Sequence, residues 1–469
     1  MNQNRERHRP FIIILLTVAI LLFLTWAKSN FSVKSFNFKQ VNILSDVTKK
    51  ITLSSIPKTA PKEKIKLTKK EQRLAKAGKL NKDSLMLVLQ KDERISDFRT
   101  DSLDILGRFF NRLEQAEQGK NRVRIGWFGD SMIEGDFITQ TVRTALQNQF
   151  GGKGVGFVTM LSPVAGFRQT IGQTSSANWQ TYTVLAPRKG FFPGIAGQVN
   201  IPINSTENPS SWASFTPGTA DGKSTFQTLK LYYGRSRKNL LTYFLDGKPF
   251  TDSLKGRLLV NELTLNTQPG LHQLKTVFKG DSLTVFGISD ESENGVLLDN
   301  LSLRGNSGTP LQAIPEQVLR QFNNYLKYDL IVLQYGTNVV ATTETNMDWY
   351  EKGMIKVINR LKRSFPQADI LLISVGDKSY KEDMQFVTQP NVPILVETQR
   401  RIAKQTGIAF WNLFQAMGGV NSMAKWVESP TPLANKDYTH VNVRGAAKLG
   451  KIISNNLLNE YQLYKKNRR

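Results

Sequence analysis

The chain has 469 residues, 40% of them apolar, with 26 Phe and 7 Trp. That is enough for two or three cored units and excludes wholesale disorder. It has no cysteine, which removes disulfide scaffolds, thiolate metal sites and cysteine nucleophiles. The three histidines are His8, His272 and His440. The formal charge is +25, which taken alone would point to nucleic acid. However, 15 Lys and Arg against 3 Asp and Glu lie between Lys28 and Lys82, and four of the last five residues are basic. The excess sits in a tether and a tail, so no nucleic-acid partner is expected.

Phe11 to Ala27, FIIILLTVAILLFLTWA, carries no charge, Gly or Pro, and Arg5, Arg7 and Arg9 precede it. Its 17 residues lie at the short end of a spanning helix, for which about 17–25 are needed. The run exceeds the roughly 7–15 residues of a signal-peptide core. The reading is a single-pass anchor over 11–27 in the inner membrane, with 1–10 a cytoplasmic tail and the body in the periplasm. Lys28, Lys34 and Lys39 follow the segment, so the flanking charge is nearly balanced. Residues 28–82, rich in Lys, Ser and Thr with Pro57 and Pro61, read as a basic linker. Leu85, Val88, Leu89, Leu103, Leu106, Phe109, Phe110 and Leu113 give 83–119 a helical periodicity.

From Arg124 short apolar runs alternate with amphipathic stretches. The runs are 124–129, 295–303, 329–336, 369–376 and 408–413. Helices are predicted at 137–149, 313–327, 347–364, 393–406 and 443–460, two of them punctuated by Pro366 and Gly407. This alternation predicts a three-layer α/β domain with a parallel sheet covered on both faces. Its two parts are 120–161 and 295–460, and 461–469 is a basic tail. The stretch 162–294 breaks the pattern with alternating runs at 226–234, 240–247, 272–280 and 281–289. An inserted antiparallel β-sandwich is the economical reading. Of its aromatics, Trp179, Phe191, Phe192, Trp212, Tyr232 and Tyr233 are expected mostly in the core, although some could stack on sugar rings. His272 reads as a strand-surface residue.

Gly129-Asp130-Ser131 ends the first run and precedes a helix, whose free N–H groups suit an oxyanion. Alone, the tripeptide is usually a turn. Asp437-Tyr438-Thr439-His440 stands just before the last helix. An Asp three residues ahead of a His reaches Nδ1 within one turn and leaves Nε2 to take a serine proton. Gly305 follows the second run and offers a backbone N–H, and Gly336-Thr337-Asn338 ends the third with a side-chain amide. Four strand ends thereby each supply a part that acyl transfer needs. Asp130 reads as a turn or capping residue rather than the triad acid. No metal-loop spacing, P-loop or dinucleotide fingerprint occurs, so no metal or cofactor is expected.

Ser131 in GDS, Gly305, Gly336-x-Asn338 and Asp437-x-x-His440 resemble, in order, the four blocks of the SGNH (GDSL-like) hydrolases over about 120–460. The nucleophile block reads GDSM rather than GDSL, and Val339 follows the Asn where many members have Asp. The resemblance implies a flavodoxin-like domain. It implies Ser131 as nucleophile, His440 as base and Asp437 as its orienter. The oxyanion hole would comprise the Ser131 and Gly305 N–H groups and the Asn338 amide. The insert and the Gly-rich stretch to residue 158 are similar to peptidoglycan O-acetylesterases with a carbohydrate-binding-like module. The implied partner is an acetylated glycan. A polysaccharide O-acetyltransferase working beside a membrane acyl-transporting protein is the alternative. A non-catalytic glycan-binding protein is a third.

Overall fold

The computed structural model describes residues 94–98, 106–206, 210–218, 225–268, 270–279, 283–340 and 345–468. The expected anchor at 11–27, its cytoplasmic tail, the basic linker and most of the helical lead-in lie outside them. Among the described residues no helix is long and apolar enough to cross a membrane.

The central sheet contains β1 (Ser96–Asp97), β2 (Arg122–Gly129), β3 (Gly295–Ser302), β4 (Leu330–Gln334), β5 (Asp369–Ile373) and β6 (Ala409–Trp411). Their order is β1-β6-β5-β4-β2-β3, all parallel except β1. The parallel strands thus follow the 2-1-3-4-5 order of flavodoxin-like folds, in which the order reverses beside the first strand. Among the described residues the longer helices over the sheet are α1 (Gly107–Glu117), α2 (Phe137–Phe150), α3 (Glu316–Leu326), α4 (Asp348–Ser364), α5 (Asn391–Thr406) and α6 (Val443–Asn467).

Strand β2 shows why both faces are filled. Val123, Ile125 and Trp127 join one core with α1, α2 and α6, while Phe128 joins the other with α3, α4 and α5. Alternate side chains of a strand point to opposite faces, so a run apolar at both parities must be covered twice. Gly126 is needed because a Cβ there would lie 3.0 Å from the Tyr328 ring.

Two features correct the sequence reading. Ser96–Asp97, within the expected helical lead-in, is an edge strand paired with Phe410 and Ala409. The expected basic tail is helical to Asn467. There Tyr461 and Tyr464 extend the buried stripe, with ring centroids 5.9 and 5.7 Å from Phe110, and Tyr461 is 5.2 Å from Phe150. The charge of that segment masked its periodicity.

Between β2 and β3, two antiparallel sheets carry the intervening chain. One runs 248–256, 236–245, 274–279, 211–217, 171–175, and the other 261–264, 228–233, 285–291, 198–202, 179–183. Phe215, Leu231, Tyr243, Leu245, Leu274 and Ile288 belong to one shared core. Gly156–Thr159, ahead of the expected boundary at 162, already pairs with Gly287–Asp290. At the junction Arg124, 1% exposed, is held by Glu291, Asp299 and the Ser289 hydroxyl, and the Tyr328 hydroxyl also donates to Asp299. A buried guanidinium persists only when its donors are matched in this way.

Candidate active site

The loops after β2, β3, β4 and β5 and the turn before α6 meet at the carboxyl edge of the sheet. Asp130 follows β2, and its Oδ1 accepts the Met132 N–H at 2.9 Å, opening a short 3-10 turn at Ser131. The capping role read from the sequence is therefore present. The far end of this loop is pinned by Asp136, which takes a buried two-pronged bond from Arg143 at 2.8 and 2.9 Å. Burial opposes the Asp136 charge, but Arg143 and Arg168 hold its carboxyl well below the usual range. Asn300 of β3 donates to the Ile133 carbonyl at 2.8 Å and fixes the middle.

Ser131 Oγ lies 2.8 Å from His440 Nε2, and His440 Nδ1 lies 2.7 Å from Asp437 Oδ2. The other Asp437 oxygen accepts the backbone N–H groups of Thr439 and His440, each at 3.0 Å. Burial raises the Asp437 pKa, yet these bonds outweigh it and the carboxyl sits below its ordinary value. Nδ1–H donation to an ionised carboxylate leaves Nε2 as acceptor toward the serine. This is the geometry of a general base set against a nucleophile.

Gly305 has φ +78°, a conformation that favours glycine. The Asn338 side-chain amide donates to the Asn306 carbonyl at 3.2 Å, so the loops after β3 and β4 meet beside Gly305. The loop after β3 is tied to β2 by the Leu303 N–H to Gly129 carbonyl bond at 3.0 Å. It is also tied to the loop that carries Ser131 by an Arg304–Glu134 ion pair. The residues predicted from the sequence therefore converge as one triad and one adjoining pair of loops.

Several neighbours were missed. Lys378 follows β5, the one central strand end left without a candidate residue, and its Nζ reaches the Thr337 carbonyl at 3.4 Å. That vacancy at a strand end was the available signal. Phe386, in the hairpin of 379–382 and 385–388, stacks on Tyr438. Leu185, from the antiparallel region, lies 3.6 Å from where a Cβ on Gly305 would stand. Only tertiary contact reveals these last two.

Asp130 is 1% exposed, and burial pushes its carboxyl up to about 6 against hydrogen bonding from Met132 and the charge of His440. The expectation that the insert aromatics lie mostly in the core fails: Tyr232 and Tyr233 are buried, but Trp179, Phe191 and Trp212 are half-buried and Phe192 is exposed, with Trp179 edge-on to Phe278 at 5.6 Å. His272 is exposed, with its backbone N–H on Asp246. A cleft of about 790 Å³ among Arg108, Arg112, Arg122 and Lys327 opens at the opposite edge of the sheet, away from the triad. Among the described residues no group of three or more His, Asp or Glu side chains is placed to hold a metal ion.

Residues 278–448 match the GDSL-like Lipase/Acylhydrolase family. No protein of curated function matches the sequence. Among solved structures, a peptidoglycan O-acetylesterase superposes with a TM-score of 0.64 at 21% identity, covering 78% of this chain and 99% of that one. At this identity the likeness establishes a shared fold. A family two carbohydrate esterase from Cellvibrio japonicus aligns over 62% of this chain and 98% of its own at 9% identity, with a TM-score of 0.26. One from Clostridium thermocellum aligns over 53% and 91% at 10% identity, with a TM-score of 0.25. Overlaps that slight carry no argument.

Proposed function

We propose that this protein is an SGNH-type serine esterase that removes O-acetyl groups from peptidoglycan or another polysaccharide outside the cytoplasm, through an acyl-enzyme on Ser131. The observation that carries the reading is the unbroken relay from Ser131 Oγ through the His440 ring to Asp437, at 2.8 and 2.7 Å.

In the proposed reaction Ser131 Oγ attacks the acetyl carbonyl while its proton passes to His440 Nε2. The tetrahedral oxyanion is received by the Ser131 and Gly305 N–H groups and the Asn338 amide, which must turn from Asn306 toward it. Collapse breaks the ester C–O bond, and His440 returns the proton to the departing sugar oxygen. Water then attacks the acetyl-serine, giving its proton to His440. The second collapse releases acetate and restores the Ser131 hydroxyl. Asp437 stabilises the imidazolium in both halves.

The glycan substrate is supported by the fold shared with a peptidoglycan O-acetylesterase. The place of action is supported by the uncharged run at 11–27, which suits a tether to the inner membrane with the body on its periplasmic side. The test is acetate release from 4-nitrophenyl acetate and from O-acetylated peptidoglycan, comparing the wild type with Ser131→Ala. We expect the variant to lose at least 10³-fold in kcat with an unchanged melting temperature. Retained activity overturns the reading.

A further inference from the structure

Lys378 is placed by its backbone with unusual firmness. Its N–H donates to the Asp377 carboxylate at 3.0 Å, and its carbonyl accepts the Gln389 N–H at 2.8 Å. Asp377 is itself buried and bound by the Thr388 hydroxyl at 2.8 Å and the Met423 N–H at 2.7 Å. The next residue, Ser379, donates its N–H to the Tyr438 carbonyl at 3.0 Å, inside the turn that carries Asp437 and His440. The catalytic turn and Lys378 are thus hydrogen-bonded neighbours.

The side chain is less well provided for. An ammonium has three donors, and among the described residues the Thr337 carbonyl at 3.4 Å takes the one hydrogen bond that the Lys378 side chain makes. Burial lowers its pKa, and the charges of Asp130 and Asp437 offset this only in part. Among the described residues neither carboxylate, nor any other, closes to an ion pair with it. Both oxygens of Asp437 are already hydrogen-bonded, to His440 and Thr439. A half-buried cation is normally paired, because the desolvation it suffers is otherwise uncompensated. This one stands beside Thr337, one residue from Asn338, and feels the charges of Asp130, next to Ser131, and of Asp437, which holds His440.

We propose that Lys378 is a further substrate-binding residue that receives a carboxylate carried by the acetylated glycan. The inference rests on the esterase reading and narrows its substrate to an acidic glycan. A carboxylate supplies the missing charge and accepts the two idle donors, and its position beside Thr337 sets the neighbouring acetyl ester toward Ser131. Such a carboxylate has two sources: a uronate within the sugar chain, or an acidic residue of a peptide attached to it.

The test is equilibrium binding by calorimetry to the full chain carrying Ser131→Ala, which cannot turn ligand over. One probe pair is an oligogalacturonate and the same oligomer with its carboxyl groups reduced to alcohols. The other is a disaccharide-peptide and its amidated form. We expect at least one acidic probe to bind ten-fold or more tightly than its neutral twin. Adding Lys378→Met should erase that ratio, and Lys378→Arg should preserve most of it. Which pair responds identifies the source of the carboxylate. Equal affinity within both pairs, a ratio that survives Lys378→Met, or no measurable binding of either acidic probe overturns the proposal. Since turnover is not read, each of these outcomes leaves the esterase assay with Ser131 intact as a separate judgement.

Discussion

Tyr438 lies flat against Phe386, with ring centroids 3.4 Å apart and planes 7° from parallel. Tyr438 also has φ +53°, a left-handed conformation that costs a bulky residue roughly 1–2 kcal/mol. That twist lets the Asp437 carboxylate curl back onto the N–H groups of Thr439 and His440 and onto the imidazole. The stack holds in place a turn that is locally unfavourable. Phe386→Ala should therefore lower kcat on a small acetyl ester about 3- to 10-fold, with KM little changed. Steady-state kinetics checks this, and an unchanged kcat would show the turn to be self-supporting.

Asp437→Asn keeps the shape of the turn but removes the charge that favours imidazolium and can reverse the donor at Nδ1. A loss of about 10²- to 10⁴-fold in kcat is expected from such tautomer disruption. The lower end is favoured because the Asp437 side chain is 49% exposed and solvent screens part of its charge. The measurement is single-turnover acylation, which isolates the step in which the proposed mechanism uses His440 as base.

Asn338→Ala removes a donor from the proposed oxyanion site. The expected loss is about 10²-fold or more in kcat, with a smaller change in KM, because the amide is used more strongly as charge develops. Equal falls in kcat and kcat/KM on 4-nitrophenyl acetate would fit a contact made in the transition state alone.

Asp130 gives a stability prediction with a definite sign. Burial raises its folded-state pKa to about 6 from 3.8. Its stabilising contribution is thus fully present below pH 3.8 and is lost as pH rises through about 6. Asp130→Asn keeps an oxygen to cap Met132 and carries no charge. It should stabilise the protein at pH 8 by roughly 3 kcal/mol at most, and by little at pH 4. Melting temperatures of the variant and wild type across that range decide it. A gain that is constant with pH would assign the effect elsewhere.

At the junction of the sheets, Arg124→Met leaves Glu291 and Asp299 without their guanidinium. A loss of about 3–5 kcal/mol is expected, as for other buried pairs broken on one side. Glu291, held down to about 2 by Arg124, Arg122 and Lys230 against its burial, contributes stability that is present above the ordinary glutamate pKa. That contribution is lost as pH falls through about 2. Urea unfolding at pH 7 measures the loss.

The central sheet was legible because its strands are apolar at both parities and its helices amphipathic. RVRIGWFG and DILLI could hardly be anything but covered strands. Ser131, His440 and Asp437 were legible because each sits at a strand end or helix entry with a partner at a meaningful spacing. Lys378 was not, since a lone lysine after VGD carries no periodic or motif signal. Its meaning comes from Thr337 and Tyr438, which meet it only in the fold. Ser96–Asp97 escaped for another reason: a two-residue edge strand is too short to show alternation, and only its pairing with β6 defines it. Tyr461 and Tyr464 were hidden by the lysines around them, although their spacing continues the stripe of α6.

Ser131 and His440 stand 309 positions apart, and His440 lies just ahead of α6, which packs over α1 and α2. At about 5–20 residues per second of synthesis, His440 leaves the ribosome roughly 15–60 s after Ser131. Throughout that interval the nascent polypeptide holds a serine hydroxyl without a proton acceptor. On the proposed mechanism, hydrolytic competence is therefore a late event in the life of each molecule, withheld until the closing helix wraps the earlier layers.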